Sequence, residues 1–422
     1  MKILVVGSGG REHAIIKKLR ENPAVTEVFA LPGNGGMKDD ATLVSLSATD
    51  LAAVRDFAVK EKIDFAVVAP DDPLVLGMVD VLEEAGIPCF GPRKNAAIIE
   101  GSKAFAKDLM KKYGIPTARY ETFTDQEKAL HYLENAPVPV VIKADGLALG
   151  KGVIIAQTKE EAADAVRSMM QEKKFGKSGE VVVIEEFLTG PEVSVLAFTD
   201  GKTLVPMISS MDHKRAFDGD KGLNTGGMGT VAPNPYYTEE IAEICRKTIF
   251  LPTMEAMNRE GRTFRGCLYF GLMLTPDGPR VIEYNCRFGD PETQVVLPLL
   301  ESDLLTIMMA VSESRLSEAE VKFSEKSAAC VMMASKGYPT SYEKGFEVKL
   351  PEEVRAHSFS SGLSFDGSAF RTAGGRVLGV SAVENTLEAA LETAYSRVEK
   401  VTCENLFYRH DIGKAALAAK EK

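Results

Sequence analysis

Short apolar runs alternate with stretches of helical spacing through the first hundred or so residues, and this alternation constrains the fold more than any other feature. Three apolar runs end at glycine- or proline-rich turns and favour strands: 3–6, 25–31 and 63–69. Helical spacing separates and follows them, at 12–20, 52–61 and 74–85. Strands that alternate with helices pair in parallel, so we predict an N-terminal parallel α/β domain at about residues 1–101.

The pattern changes at Ser102 and again near residue 323, as expected if a chain of 422 residues forms about three domains. The central part, 102–323, has helical patterns at 103–113, 159–172 and 238–259. It also has runs typical of strands at 138–143, 152–157, 181–187, 193–198, 267–274 and 280–285. Residues 324–422 are again rich in strand patterns, and we predict a β-rich α+β domain there with a final helix at 387–401.

Acidic residues outnumber basic ones, 60 to 50, and the formal net charge of −10 argues against a chain built mainly to bind nucleic acid or an anionic membrane. No run of about 18 apolar residues occurs, so no membrane segment is expected. The six cysteines are scattered without a C-x-x-C pair, which disfavours a zinc site and a dense disulfide framework. We therefore expect a cytoplasmic protein, and a monomer.

The glycine turn after the first strand, Gly7 to Glu12, lies where a dinucleotide-binding fingerprint would. Its third glycine position is occupied by Glu12, and no acidic residue ends the second strand, so a nicotinamide dehydrogenase is disfavoured. The backbone N–H groups of the turn could still seat a phosphate at a helix N-terminus. The alternative is a tight strand-to-helix connection without a ligand.

A second glycine cluster, Gly146 to Gly152, resembles a phosphate-binding P-loop only superficially. It has three rather than four residues between its glycines, lacks Ser or Thr after Lys151, and precedes a β-branched run instead of a helix. A glycine loop between antiparallel strands can instead fold over phosphates as a flap, with Lys143 on the preceding strand as a fixed cation. The alternative is a mobile surface hairpin.

Side chains on the strand at 280–287 should alternate between two faces. Alternation places three polar side chains on one face, Glu283, Asn285 and Arg287. The opposite face receives Ile282, Tyr284 and Cys286. A carboxylate and an amide oxygen suit a hard cation that shares its ligands with phosphates, and an arginine suits a carboxylate or phosphate. The alternative is a solvated edge strand.

The residues after this strand predict a helix whose N-terminus lies close to the polar face. Asp290 suits the N-cap, Pro291 suits the first helical position, and the apolar run at 295–300 continues the pattern. By contrast, the glycine-rich loop at 218–229, with five glycines, has the composition of a disordered linker.

Five stretches together resemble the phosphoribosylamine–glycine ligase (glycinamide ribonucleotide synthetase) family of ATP-grasp enzymes. They are 7–13 (GSGGREH), 143–152 (KADGLALGKG), 212–215 (DHKR), 224–229 (NTGGMG) and 287–294 (RFGDPETQ). Two C-terminal stretches are also similar to the family, 374–380 (GGRVLGV) and 408–413 (YRHDIG). The resemblance implies central ATP-grasp domains at 102–323, with a flap subdomain at about 121–190, and it makes 218–229 a site loop.

The resemblance also implies a reaction. ATP phosphorylates the carboxylate of glycine, and the amine of 5-phosphoribosylamine then attacks the glycyl phosphate, which releases phosphate and leaves ADP. ATP and Mg²⁺ or Mn²⁺ are the implied cofactors, and a short-lived acceptor suggests hand-over from the preceding amidotransferase of purine biosynthesis. A sister ligase for another acid or amine, and a nucleotide-binding module without turnover, are the alternatives.

Roles for individual residues follow from the same resemblance. The expected catalytic residues are Lys143, Asp212, Lys214 and Arg287, of which Arg287 should hold the glycine carboxylate or its acyl phosphate. ATP phosphates should be contacted by Lys103, Lys143 and a flap of Gly146, Gly150 and Gly152. Adenine and ribose should be bound by Glu185, Glu186, Phe187, Leu188 and Glu192. The metal ligands should be Glu283 and Asn285. Acceptor binding should involve Gly9, Gly10, Arg11, Asn224, Asp290 and Glu292.

Overall fold

The computed structural model describes residues 1–148, 152–171 and 176–420. The N-terminal domain is a five-stranded parallel sheet in the spatial order β3-β2-β1-β4-β5, as predicted. Its strands are β1 (Lys2–Gly7), β2 (Glu27–Pro32), β3 (Thr42–Leu43), β4 (Phe65–Val68) and β5 (Cys89–Phe90). Its helices are α1 (Gly10–Leu19), α2 (Leu51–Lys60), α3 (Asp71–Leu76), α4 (Met78–Glu84) and α5 (Lys94–Gly101).

The single helix predicted at 74–85 is in fact two helices. Gly77, with a φ of +103°, lies in the left-handed region and separates α3 from α4. The apolar spacing continues through the break because Leu74, Met78 and Leu82 are all buried. Helical periodicity alone therefore could not locate the division.

The central region begins with α6 (Lys103–Tyr113) and a four-stranded antiparallel sheet in the order β6-β9-β7-β8. The strands of this flap sheet are β6 (Tyr120–Phe123), β7 (Val140–Ala144), β8 (Val153–Ala156) and β9 (Val182–Glu186). Two helices, α7 (Gln126–Asn135) and α8 (Lys159–Met170), share an apolar core with the sheet. Because successive side chains point to opposite faces, the other face can line a cavity.

The chain then forms eight strands before residue 286. They are β10 (Glu192–Thr199), β11 (Leu204–Pro206), β12 (Met211–Asp212), β13 (Arg215–Phe217), β14 (Lys221–Asn224), β15 (Gly229–Ala232), β16 (Gly266–Thr275) and β17 (Gly278–Asn285). Four of them make a second antiparallel sheet, β11-β10-β16-β17. The helical segment predicted at 238–259 is present as α9 (Glu239–Cys245), a π-helical turn at 246–250, and α10 (Leu251–Arg259).

The loop at 218–229 is not the linker that its composition suggests. Strands β13 and β14 pair as an antiparallel hairpin, and the flanking strands β12 and β15 pair with each other. Glycines supply the backbone shapes that the turns require, with φ of +82° at Gly222 and +113° at Gly227. The glycine content therefore reflects tight turns rather than freedom of the chain.

The helix predicted after Asp290 is much shorter than expected, and the N-cap prediction was wrong. Helix α11 spans only Thr293–Val296, passes into a 3₁₀ turn at 297–299, and is followed by α12 (Leu304–Ser312). Glu292 is the residue before the helix. The Asp290 carboxylate instead accepts hydrogen bonds from Gln294 Nε2 at 2.9 Å and from the Arg11 backbone N at 3.2 Å. It therefore connects two domains instead of capping a helix.

The C-terminal region is rich in strands, as predicted. Its elements are β18 (Ser327–Ser335), β19 (Glu347–Val348), α13 (Glu352–Arg355), β20 (Ser358–Ser360), β21 (Leu363–Phe365), β22 (Phe370–Thr372), β23 (Arg376–Glu384), α14 (Leu387–Val398), β24 (Leu406–Phe407) and α15 (Lys414–Lys420). The main sheet has the order β12-β15-β18-β23-β20, with β24 paired to β18. Two strands of the central region thus belong to the C-terminal sheet.

Aromatic packing joins the N-terminal domain to the central region. Phe90 on β5 lies 6.3 Å from Phe198 on β10 and 6.0 Å from Phe288, measured between ring centroids. Phe198 and Phe288 are also 6.0 Å apart, and all three rings are buried. Among the described residues, no helix is long and apolar enough to cross a membrane.

Candidate active site

One cavity of about 990 Å³ collects side chains from the N-terminal, central and C-terminal regions. The predicted site residues that line it are Arg11, Lys103, Lys143, Gly152, Glu185, Glu186, Phe187, Leu188, Glu192, Asp212, Lys214, Asn224, Glu283, Asn285, Arg287, Asp290 and Glu292. Three predicted glycines are not among its lining residues, Gly9, Gly10 and Gly146. Gly150 lies outside the described residues.

A buried cluster of two lysines and one carboxylate forms one wall at the flap sheet. Lys143 Nζ on β7 lies 2.9 Å from Glu185 Oε1, and Lys107 Nζ on α6 lies 2.9 Å from Glu185 Oε2. The three side chains are only 3 to 5 % exposed. Burial lowers the pKa of Lys107 to about 8, although Glu185 opposes the shift. Two cations against one carboxylate leave this wall suited to an anion such as phosphate.

The flap loop is tied to the start of α6 by Asp145. Its carboxylate Oδ1 accepts hydrogen bonds from Ser102 Oγ at 2.9 Å and from the Ala104 backbone N at 2.7 Å. Lys103 Nζ donates to the Gly146 carbonyl at 2.9 Å. A Cβ on Gly146 would lie 2.5 Å from Ser178 Oγ, so this glycine is needed for packing of the loop. Lys103 is thereby held at the cavity under the flap.

The residues predicted to bind adenine and ribose follow the end of β9. Glu186 is paired with Arg119 at 2.8 Å and with Arg280 at 3.5 Å, so its side chain braces the strand end. Glu192, which begins β10, lies 3.0 Å from Lys214 Nζ. The Lys214 side chain remains 37 % exposed through the cavity, so this ion pair is accessible to a ligand.

A β-bulge changes the predicted alternation on β17. Gly271 pairs with Glu283 while Leu272 pairs with Val281, which leaves Ile282 as the extra residue. Val281, Tyr284 and Cys286 belong to the buried core, although Tyr284 also reaches the cavity, whereas Ile282 is only partly buried and lines the cavity beside Glu283, so placing Ile282 with Tyr284 and Cys286 was wrong. The bulged carbonyl of Ile282 accepts a hydrogen bond from Lys143 Nζ at 3.0 Å, which links the two antiparallel sheets across the cavity.

Glu283 and Asn285 both reach this cavity from β17. Burial alone would raise the pKa of Glu283, but Lys214, Lys143, Lys103 and Arg287 together hold it below its usual value. The residue is therefore ionised and surrounded by cations. A carboxylate and an amide oxygen are a donor pair that Mg²⁺ and Mn²⁺ accept. No cluster of three or more His, Cys, Asp or Glu suited to a metal occurs in the described part of the chain.

Arg287 is held in place by Glu100, at the end of α5. Its Nη2 donates to Glu100 Oε1 at 2.8 Å and to Asn285 Oδ1 at 3.1 Å, while the Cys286 backbone N donates to Glu100 Oε2 at 2.7 Å. Burial opposes the charge on Arg287, but Glu100 and Asp71 raise its pKa above the usual value. The buried Nε of Arg287 has no acceptor among the described residues. That N–H is free to bind a carboxylate.

Carboxylates dominate the other end of the cavity. Glu292 Oε1 accepts hydrogen bonds from Tyr269 OH at 3.1 Å and from Ser194 Oγ at 3.2 Å. Burial and the nearby Glu292 raise the pKa of Asp212 well above its usual value, against the opposing charges of Lys214 and Arg376. Asp212 therefore binds a proton more readily than an ordinary aspartate does.

The N-terminal glycine turn contacts this end through side chains rather than through free N–H groups. Glu12 accepts from the Gly9 backbone N at 2.6 Å and from Arg11 Nε at 2.6 Å, which caps α1 internally. Arg11 Nη1 donates to the Phe288 carbonyl at 3.2 Å. A Cβ on Gly10 would lie 2.5 Å from Gln294 Nε2. Gly9 and Gly10 thus permit close packing of two domains, and Arg11 alone of the three lines the cavity.

Four lining residues that matter for the geometry were missed by sequence reasoning: Glu100, Lys107, Tyr269 and Arg376. Lys107 carried a usable signal, because it lies one helical turn after Lys103 on α6. Glu100 and Arg376 lie far along the chain from the residues that they contact in the cavity, so no local pattern marks them. Tyr269 faces the cavity from a strand that is otherwise apolar.

Two antiparallel sheets enclose lysines and a carboxylate–amide strand in one cavity, which is the arrangement expected from the resemblance to ATP-grasp enzymes. Phosphoribosylamine–glycine ligase of Thermotoga maritima is similar in structure, with a TM-score of 0.84 and 36 % identity over 98 % of this chain and 100 % of that chain. The biotin carboxylase domain of a Hydrogenobacter thermophilus 2-oxoglutarate carboxylase, solved with MgADP and bicarbonate, shares the fold at 17 % identity and a TM-score of 0.74.

The sequence comparisons identify the family. Phosphoribosylglycinamide synthetase domains match in order along the chain: the N domain at 1–100, the ATP-grasp domain at 101–293 and the C domain at 328–415. Phosphoribosylamine–glycine ligase of Listeria monocytogenes is 50 % identical over 99 % of this chain and 100 % of its own length. That of Caldanaerobacter subterraneus is 46 % identical over 98 % of this chain and 99 % of its own. The chain belongs to the phosphoribosylglycinamide synthetase family.

Proposed function

We propose that this chain ligates glycine to 5-phosphoribosylamine at the expense of ATP, through a glycyl phosphate, in purine biosynthesis. The observation that carries the proposal is the arrangement around Glu283, where Lys103, Lys143, Lys214 and Arg287 surround one ionised carboxylate in a cavity shared by all three regions. Membership of the family and full-length similarity to its ligases support it.

The first step requires an anion site rather than a protein nucleophile. A carboxylate is a poor acyl donor because its leaving group would be oxide, and phosphorylation supplies a better one. Lys103 and Lys143 are fixed cations at the cavity, held by Gly146 and Glu185, and are placed to stabilise charge on the transferred phosphoryl group. Residues 185–188 and Glu192 would bind the adenosine part.

The donor set at Glu283 and Asn285 fits Mg²⁺ or Mn²⁺. Two protein oxygens on one strand leave further coordination positions for phosphate oxygens and water, as is usual for these ions at nucleotide sites. When bound there, the cation would neutralise phosphate charge. Asn285 is oriented for this by Arg287, which donates to its Oδ1.

Glycine is proposed to lie beside Arg287. Glu100 occupies one edge of the guanidinium, which leaves the unpartnered Nε to receive the carboxylate of the substrate or its acyl phosphate. Because Glu100 and Arg287 are both buried, the guanidinium cannot turn away from this position without leaving a carboxylate unpaired.

The second step is proposed for the carboxylate end. The amine nitrogen of phosphoribosylamine attacks the carbonyl carbon of glycyl phosphate, the carbon–oxygen bond to phosphate breaks, and the electron pair leaves with phosphate. The proton lost from the nitrogen needs an acceptor, and Asp212, whose pKa is raised by burial and by the nearby Glu292, suits that role. Arg11, Lys214, Asn224 and Asp290 complete the proposed acceptor site.

The remaining proposals concern organisation. We assign domains at 1–101, 102–323 and 324–422, with a flap subdomain at about 121–190, in a monomer that acts in the cytoplasm on small-molecule substrates. The lability of phosphoribosylamine in water favours transient hand-over from the enzyme that makes it.

Release of ADP, measured with glycine and phosphoribosylamine each omitted in turn, tests the proposal. The expected result is ADP release that depends on both substrates and yields glycinamide ribonucleotide. Equal rates with alanine or bicarbonate in place of glycine would support a sister ligase instead. Absence of ADP under all conditions would support a nucleotide-binding module.

A further inference from the structure

Apart from Arg376, which lines the cavity, the two C-terminal stretches 374–380 and 408–413 have no part in the chemistry described so far. The structure places them against the hairpin β13–β14, which follows directly after Asp212 and Lys214. Within the described residues the hairpin pairs with no third strand, and Ala216 is the one residue of its two strands that is buried. A two-stranded hairpin is at best marginally stable in water, so contacts from elsewhere must hold it.

Arg409 supplies the largest group of those contacts. The side chain is almost wholly buried, at 1 % exposure. Its Nη1 donates to the Arg215 carbonyl at 3.0 Å and to Asp220 Oδ1 at 2.9 Å. Its Nε and Nη2 donate to the two oxygens of Asp411 at 2.8 and 2.9 Å, and Asp411 Oδ2 accepts from the Gly219 backbone N at 2.8 Å. One guanidinium thereby fixes both the first strand and the turn of the hairpin.

The same C-terminal stretch also fixes the root of the hairpin. The Gly413 backbone N donates to His213 Nε2 at 3.1 Å, so the other ring nitrogen, Nδ1, carries the proton and donates to the Gly229 carbonyl at 3.1 Å. Burial lowers the pKa of His213, consistent with a neutral ring. From the neighbouring stretch, Arg376 Nη1 donates to the Gly226 carbonyl at 2.7 Å.

The hairpin carries acceptor-site residues at its base. Thr225 donates to the Lys214 carbonyl twice, from its backbone N at 2.7 Å and from Oγ1 at 2.9 Å. Lys214 then reaches Glu192 at 3.0 Å, and Asn224 faces the cavity. A displacement of the hairpin therefore displaces Lys214 and Asn224 relative to the part of the cavity that is proposed to bind ATP.

We propose that Arg409 is a positioning residue for the phosphoribosylamine step, acting through hairpin β13–β14 on Lys214 and Asn224. Arg409 is not among the residues that line the cavity, so it acts without touching substrate. Lysine cannot replace it, because one ammonium group cannot bind a carboxylate in bidentate fashion and reach a carbonyl and a second carboxylate as well. This role rests on the function proposed above, in which Lys214 and Asn224 belong to the phosphoribosylamine site.

Steady-state kinetics of Arg409→Lys provides the first test, with Arg397→Lys as the matched control. Arg397 is a partly buried arginine of the same region, which donates to the Ser381 carbonyl and contacts no part of the hairpin. We expect Arg409→Lys to raise the KM for phosphoribosylamine on the order of tenfold, with the KM for ATP and for glycine changed less than about twofold. A parallel rise of all three KM values, or no change in any, overturns the proposal.

Limited trypsin digestion provides a second test that needs no turnover. The hairpin contains cleavage sites after Arg215 and Lys221, which mass spectrometry can follow. Arg409→Lys should accelerate cleavage at these two sites while Arg397→Lys leaves it at the wild-type rate, and Asp411→Asn should act as Arg409→Lys does if the latter does not fold. Unchanged rates of cleavage in the folded variants would contradict the proposal that Arg409 holds the hairpin in place. Wild-type protein without turnover of phosphoribosylamine would instead contradict the proposed function.

Discussion

The two ends of the cavity are built on different principles. At the nucleotide end, Lys103, Lys143, Glu283 and Asn285 project from a helix and from strands of two regular sheets. At the acceptor end, the groups come from a hairpin, from the turn after β17, from the N-terminal turn and from the C-terminal sheet. The first end is fixed by backbone ladders within one region, and the second by side-chain contacts between regions.

The charges of the two ends differ in the same way. Cations outnumber carboxylates around Glu185 and Glu283, which suits a polyphosphate. Acceptor-end carboxylates are matched by arginines from other domains, as where Arg376 lies 3.2 Å from Asp290. We infer from this difference that the ligation step depends more on contacts between domains than nucleotide binding does.

The strongest test of the comparison is Glu283→Gln at the nucleotide end. Loss of the charged oxygen pair should reduce turnover by roughly 10² to 10³ and raise the metal concentration needed for half-maximal activity. A magnesium titration of ADP release measures both. Glu347→Gln, an exposed glutamate on β19, is the control, and an unchanged titration for Glu283→Gln would remove the metal-ligand assignment.

Asp212→Asn tests the acceptor end. Because burial and Glu292 raise the pKa of Asp212, activity should decline with falling pH well above the usual range of a carboxyl group. The variant should lower kcat by roughly 10 to 10², move that decline, and leave ATP affinity unchanged. Asp56→Asn on α2 serves as a surface control. If ATP affinity fell as much as turnover, the two ends would not be separable.

The substitution Lys107→Met tests the buried lysine at the nucleotide end through its effect on the stability of the protein. The pKa of Lys107 is about 8 in the folded protein, below that of a lysine in the unfolded chain. Between these two pKa values the unfolded chain binds more protons than the folded protein, so the stability of wild type increases with rising pH. The free energy of unfolding of wild type should rise relative to the variant by about 1 to 3 kcal/mol from pH 8 to 10. Denaturant titrations measure it, with exposed Lys111→Met as control. If the free energies of unfolding of wild type and Lys107→Met changed in parallel with pH, the assignment of Lys107 as a buried cation would be contradicted.

The smallest effect is expected for Tyr338→Phe. Its hydroxyl accepts one hydrogen bond, from the Gly226 backbone N at 3.0 Å, at the base of the hairpin. Loss of that bond should cost about 1 kcal/mol or less of stability and raise the KM for phosphoribosylamine only a few-fold. Tyr342→Phe is the control. A larger rise in the KM for ATP than for the amine would place Tyr338 at the wrong end.

The contrast between the ends also explains what the sequence could predict. Alternation along β17 correctly brought Glu283, Asn285 and Arg287 to the cavity, because a strand has a fixed period, although the bulge displaced Ile282. Spacing likewise located α6 and β7, which carry Lys103 and Lys143. These predictions needed only local backbone geometry.

Predictions at the acceptor end were weaker because local patterns compete there with distant contacts. Asp290 has the neighbours of an N-cap, yet its carboxylate accepts a hydrogen bond from the Arg11 backbone N and forms an ion pair with Arg376, 279 and 86 residues away along the chain. Composition suggested a linker at 218–229, where buried Arg409 supports a hairpin. Glu100 could not be assigned to Arg287 without knowing how α5 meets β17.

The contact between Arg409 and the hairpin also sets an order of events during synthesis. Arg215 and Arg409 are 194 positions apart, so the ribosome completes the hairpin long before its support exists. The strands that carry the nucleotide end, by contrast, are complete at residue 285. The acceptor end cannot be complete until Arg409 has been added, so a chain that ends before that residue has the strands of the nucleotide end but lacks the support of the hairpin.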